Sequence, residues 1–126
     1  MKLVLNESKP IFIQIAEGIE DDILCGNLKA GDQVPSMNQL AKLLAINPAT
    51  AGKGINILVD EGMIQKSRGV GMFVADDAVE KIIKKRNATF FNDYIVKVVS
   101  ESKKLNIPIE QIVDMIRSCE VEDIDE

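Results

Sequence analysis

The sequence predicts a mainly α-helical chain with one small β-hairpin: an N-terminal winged helix-turn-helix, then a short helical region. Three observations lead there. Isoleucines at positions 11, 15, 19 and 23 recur at helical spacing, and two short helical patterns then meet with only Ala45-Ile46 between them. Two segments that read as brief strands, 63–66 and 71–74, flank a turn that contains Gly69.

The elements follow in order. Pro10 suits the first turn of a helix whose apolar face carries Ile11, Phe12, Ile15, Ile19, Ile23 and Leu24, and Gly26 closes it. Leu28 to Asp32 reads as a tight turn. Pro35-Ser36 opens the second helix, with Ser36 as its cap and Leu40, Leu43 and Leu44 inward. Asn47 caps the third helix, Pro48 occupies its first position, Ile55, Leu58 and Val59 face the core, and Gly62 ends it. The hairpin closes a first domain at residues 1–75.

Residues 76–126 form a second region. Asp76-Asp77 favours a helix start, and Val79, Ile82, Ile83, Phe90, Phe91, Tyr94, Ile95, Val98, Val99 and Leu105 keep helical spacing to about Lys104. The polar centre, Lys84 to Asn87, suggests a linker helix joined to a docking helix. Pro108 starts a last helix with Ile109, Ile112, Val113 and Ile116, and Glu120 to Glu126 form an acidic tail. Phe90, Phe91, Tyr94, Ile95, Val98 and Val99 span too wide an arc for one helix on one neighbour. Either the segment folds back as extra core, or it buries a seam against a second copy together with Ile112 and Ile116; homodimerisation is the expectation.

Composition removes several function classes. The chain has no histidine, so the usual general base, the Ser-His and Cys-His pairs and most zinc sites are missing. The acidic pairs Asp21-Asp22, Asp60-Glu61 and Asp76-Asp77 sit at helix positions or ends where solvation accounts for them. No catalytic residue, metal site or cofactor is expected. The start lacks a secretory h-region and no apolar run approaches a membrane span, so the protein is expected to be cytoplasmic with no membrane partner. Cys25 and Cys119 lack metal or redox spacing and are expected to be small buried hydrophobes.

The third helix is the candidate reading element. With Ala51, Ile55, Leu58 and Val59 inward, Ala49, Lys53 and Asn56 point outward, and Asn47, Thr50 and Lys53 are best placed to reach a DNA groove or its phosphates. Its N-terminus is expected to offer free backbone N–H groups to a phosphate. Gly52 and Gly54 each cost helix stability. Gly54, toward the inner side, permits close approach of another helix, and Gly52 close approach of a backbone such as DNA. Lys66, Ser67 and Arg68 precede Gly69 at the hairpin tip and supply further basic contacts.

These residues resemble the GntR transcriptional regulators, and within them the YtrA-like branch. Pro10 to Ile15 looks like the family's opening helix, and the run from Gly26 to Ser36 like its turn into the second. Leu40-Ala41, Ile46 to Thr50, Leu58, Glu61-Gly62 and Gly69 to Val74 complete the pattern over residues 10–75. The short C-terminal region is similar to that of the YtrA branch, whose C-terminal helices mainly dimerise. The resemblance implies a bacterial homodimeric repressor on a palindromic operator in double-stranded DNA, often controlling transport genes. Where many members carry arginine this chain has Asn38 and Pro48, and Gly52 replaces the arginine of some relatives. Ser36, Asn38, Asn47, Thr50, Lys53, Lys66, Arg68 and Gly69 remain as the DNA-binding set. A small-molecule effector near Phe90, Phe91 and Tyr94, and a protein-interaction module without specific DNA binding, are the other readings.

The net charge of −5 first speaks against nucleic acid, but it is unevenly spread. Residues 33–75 carry Lys42, Lys53, Lys66 and Arg68 against Asp60 and Glu61, so the reading head is locally positive.

Overall fold

The computed structural model describes residues 3–121. They form α1 (Ile11–Leu24), β1 (Gln33–Val34), α2 (Met37–Leu44), α3 (Pro48–Asp60), β2 (Ile64–Ser67), β3 (Gly71–Val74), α4 (Ala78–Phe90), a π-helical turn (Phe91–Ile95), α5 (Val96–Lys104) and α6 (Ile109–Val121). Two compact units divide the chain, the first running to Lys84 and the second starting at Lys85.

In the first unit α3 packs on both α1 and α2, and the sheet closes the core beside them. Ile15, Ile19, Leu40, Ile55, Leu58, Ile64 and Ile82 are its largest fully buried apolar side chains. Burying each stabilises the fold by about 1.5–3 kcal/mol. Ala78 and Ile82 belong to this core, so it extends past the composition shift at Ala75. Leu43 does not. The buried arc of α2 is centred on Leu40, Ala41 and Leu44, and at 100° per residue Leu43 lies roughly 110° away from it, mostly in solvent.

Local chemistry sets most boundaries. Pro10 stands one position before α1, and its carbonyl accepts from Ile13 and Gln14 N–H groups. Ser36 and Gln39 form a reciprocal capping box at the start of α2. Ala45, in the left-handed region at φ 55°, ends α2 and makes the tight corner into α3. Gly26 at φ 86° and Gly62 at φ 77° follow α1 and α3 as expected.

The sheet has three strands in the order β1-β3-β2, both pairings antiparallel. Sequence periodicity shows only the hairpin, with Ile64 opposite Val74 and Ser67 opposite Gly71. The third strand grows out of the Leu28–Asp32 turn. Gly31 N–H donates to the Val74 carbonyl and Val74 N–H to the Asp32 carbonyl, both at 2.9 Å, so Gln33 and Val34 fall into register with Phe73 and Met72.

The cysteines depart from expectation, since both are exposed and free. Ile23 occupies the last core position of α1, which leaves Cys25 in the turn beyond it, and Cys119 lies near the end of α6. In the second unit the helical pattern beyond Phe90 passes through the π-helical turn, where Val96 N–H donates to the Phe91 carbonyl. Asn106, at φ 56°, turns the chain from α5 toward α6. Glu120 is exposed and helical; the rest of the acidic tail, 122–126, lies outside the described residues.

Candidate nucleic-acid interface

The N-terminal ends of the second and third helices are closed by the side chains of Ser36 and Asn47, two of the residues expected to contact DNA. Ser36 Oγ accepts from Gln39 N–H at 3.1 Å while Gln39 Oε1 accepts from Ser36 N–H at 2.9 Å. Asn47 Oδ1 accepts from Ala49 N–H at 2.8 Å. Each acceptor is therefore engaged in capping, and the donor group of each side chain remains available to a ligand. The expected free N–H groups at the start of α3 are not there. Pro48 has none, Ala49 bonds the Asn47 side chain, and Thr50 and Ala51 bond the Asn47 carbonyl at 3.0 and 3.1 Å.

Side chains must then make the contacts. Along α3, Ala49, Lys53 and Asn56 are exposed and Thr50 is half-exposed, while Ala51, Ile55 and Leu58 are buried. Asn38 is exposed on the first turn of α2. Lys53 does not stand free: its Nζ lies 4.1 Å from the centre of the Phe12 ring on α1.

The two helical glycines differ. A Cβ on Gly54 would fall 2.8 Å from the Phe12 carbonyl oxygen and 2.8 Å from Ile15 Cγ2, so the glycine lets α3 settle against the α1 backbone. Gly52 is also buried, and its Cβ would meet Met37 Sδ at 2.9 Å. Gly52 therefore faces α2, not an approaching nucleic-acid backbone.

At the wing, Lys66, Ser67, Arg68, Gly69 and Val70 are all exposed. Val70 N–H donates to the Ser67 carbonyl at 2.9 Å and Gly69 sits at φ 76°, the positive φ that the third residue of a type II turn requires. Gln33 steadies the base of the turn by donating from Nε2 to the Val70 carbonyl at 3.4 Å. Gly71, at φ 144°, leaves room for that side chain, which a Cβ would strike.

Comparison with known proteins fits this geometry. Residues 13–74 match the model for bacterial regulatory proteins of the gntR family. YtrA from Sulfolobus acidocaldarius, a GntR-family transcription factor, is 36% identical, with 69% of this chain and 96% of that one covered at a TM-score of 0.54. The chain belongs to the GntR family. A GntR family transcriptional regulator from Listeria monocytogenes aligns over 90% of this chain and 98% of its own, at 29% identity and a TM-score of 0.74. The HTH-type transcriptional repressor YtrA of Bacillus subtilis is 26% identical over 112 residues, 89% of this chain and 85% of the relative. The chain is thus a YtrA-like GntR transcription regulator with a DNA-binding winged helix.

The GntR motif residues acquire physical reasons. Gln14, buried on α1, ties down the N-terminal segment: Nε2 donates to the Asn6 and Lys9 carbonyls at 2.7 Å each, and Oε1 accepts from Asn6 N–H at 3.0 Å. Sequence reasoning placed Phe12 on an apolar face and assigned no role to Gln33 or Met37. Their partners lie on other elements, so no local spacing marks them.

In the second unit Phe90, Phe91, Tyr94, Ile95, Val98 and Ile116 are exposed, and Val99 and Ile112 are half-buried. Phe90 and Tyr94 rings lie 5.4 Å apart. The π-helical turn adds a residue to the helix and aligns Phe91, Ile95, Val96, Val99, Ser100, Lys103 and Lys104 around a groove of about 420 Å³. Among the described residues no helix is long and apolar enough to cross a membrane.

Proposed function

We propose that this GntR regulator is a cytoplasmic homodimeric repressor that binds a palindromic operator, with genes of a transport system among its targets. The observation that carries the reading is the pairing of two exposed polar surfaces within the locally positive segment 33–75. One is the outer face of α3 with Thr50 and Lys53; the other is the wing tip with Lys66, Arg68 and Gly69. Helix α3 enters the major groove, with Asn38, Ser36 and Asn47 adding contacts at its edge, and the wing holds the flanking backbone. The repressor assignment follows the YtrA of Bacillus subtilis.

Homodimerisation is supported by the second unit. Phe91 and Tyr94 are 64% and 61% exposed, an aromatic surface unusual for a chain that stays monomeric. A two-fold pair of such faces would bury Phe90, Phe91, Tyr94, Ile95, Val98, Val99, Ile112 and Ile116 and give two reading heads, which a palindrome matches. A small-molecule effector seated in the groove would share Phe91, Ile95 and Val99 with the second copy, so its binding would be linked to dimerisation.

Selection of bound sequences from a random duplex pool tests the reading. Enrichment of one inverted repeat at low salt, lost at high salt, is expected. Recovery of unrelated sequences, or none, rejects specific operator binding.

A further inference from the structure

We infer that Phe12 is a positioning residue for DNA binding: its ring, supplied by α1, holds the Lys53 ammonium over the reading face of α3 before any DNA arrives. The inference rests on the DNA-reading role of α3 and adds to it a residue outside the helix-turn-helix.

The chain of causes starts at Gly54. Glycine costs a helix stability, yet here its missing side chain lets α3 lie directly against the Phe12 carbonyl and Ile15. Lys53 is the neighbouring residue, exposed on the outer side of that contact, and the half-buried Phe12 ring lies within its reach at 4.1 Å. The ring face is electron-rich and attracts the ammonium without neutralising it. Phe12 thereby differs from an acidic neighbour, which would hold the lysine but cancel the charge that a phosphate needs. Lysine otherwise carries large rotamer freedom that must be surrendered on binding. The ring removes part of that freedom in advance and leaves the ammonium able to donate to a phosphate oxygen.

Double-mutant analysis on mixed-sequence duplex DNA tests this, because a phosphate contact does not depend on the operator. Full-length protein, Phe12→Leu, Phe12→Tyr, Lys53→Ala and the Phe12→Leu/Lys53→Ala pair are titrated by fluorescence anisotropy at several salt concentrations. Thermal melts of each variant accompany the titrations. Phe12→Leu is expected to weaken binding about threefold per reading head with an unchanged salt slope, Phe12→Tyr to restore it, and Phe12→Leu to have no further effect once Lys53 is alanine. In the free protein the Lys53 side-chain protons should show a ring-current shift that Phe12→Leu removes and Phe12→Tyr retains. Equal weakening by Phe12→Leu in both backgrounds makes Phe12 merely structural and overturns the inference. So does tighter binding by Phe12→Leu, which would mean that the ring withholds the lysine. Wild-type protein that binds no duplex at all overturns the DNA reading as well, whereas binding that ignores Phe12 overturns the positioning role alone.

Discussion

Lys53 Nζ stands 4.1 Å from the centre of the Phe12 ring, joining the outer face of α3 to a helix that precedes the helix-turn-helix. The contact places a positive charge where the reading face meets solvent, in a chain whose overall charge is −5. It also makes the electrostatics of Lys53 separable from its packing.

Replacing Lys53 with alanine should weaken duplex binding and reduce the slope of log K against log salt by about one per protomer. Anisotropy titrations between low and moderate salt measure that slope. An unchanged slope would remove Lys53 from the phosphate contacts.

Asn47 offers a separation of cap from contact. Asn47→Asp keeps an oxygen acceptor for Ala49 N–H and adds a negative charge at the positive end of α3, so stability should hold within about 0.5 kcal/mol. In the proposed complex the same charge would face DNA phosphates, and binding should drop by tenfold or more. Asn47→Ala should instead cost about 1 kcal/mol of stability. Urea denaturation with parallel DNA titrations distinguishes the two; DNA affinity unaffected by Asn47→Asp would place Asn47 away from the nucleic acid.

The two glycines of α3 should respond in opposite directions to alanine. Gly54→Ala gains about 1 kcal/mol of helix propensity but drives Cβ into the Phe12 carbonyl and Ile15, an overpacking cost of about 1–3 kcal/mol, so the net effect is destabilising. Gly52→Ala meets only the flexible end of Met37 and should be neutral or stabilising by up to about 1 kcal/mol. Denaturation midpoints of the two variants supply the comparison, and equal midpoints would contradict the asymmetry.

Charge placed in the aromatic surface of the second unit should separate assembly from folding. Phe91→Lys and Tyr94→Glu are expected to yield monomers by sedimentation equilibrium, while the first unit keeps its melting transition. Operator affinity should then fall by at least tenfold, because two linked heads become two separate ones. Dimers that persist in both variants would relocate the interface.

Much of the first unit was legible because its signals are local. Ser36, Asn47 and Pro48 announce helix starts through groups that cap or tolerate unpaired N–H donors, and Gly26, Gly62 and Gly69 mark positive φ. The isoleucine spacing of α1 sets its buried face. The resemblance to GntR regulators is carried by those same residues, and the helix-turn-helix and hairpin that it implies are α2, α3 and the β2-β3 pair.

Other features depend on partners distant in sequence. Strand β1 is two residues long, too short for any periodicity, and exists because Gly31 and Asp32 bond Val74. Leu43 and Cys25 are apolar enough to be buried, but Leu44 and Ile23 hold the core positions beside them. The N–H groups at the start of α3 bond Asn47, whose side chain and carbonyl both serve as the cap. From its sequence alone this protein determined the order of its helices, their caps and the wing's turn, since each arises within a few residues. Tertiary structure decided that Leu43 and Cys25 stay in solvent, that Gly54 rather than Gly52 meets the α1 backbone, and that Phe12 lies beneath Lys53. Those outcomes depend on which helices come into van der Waals contact, and only the packed core brings them together.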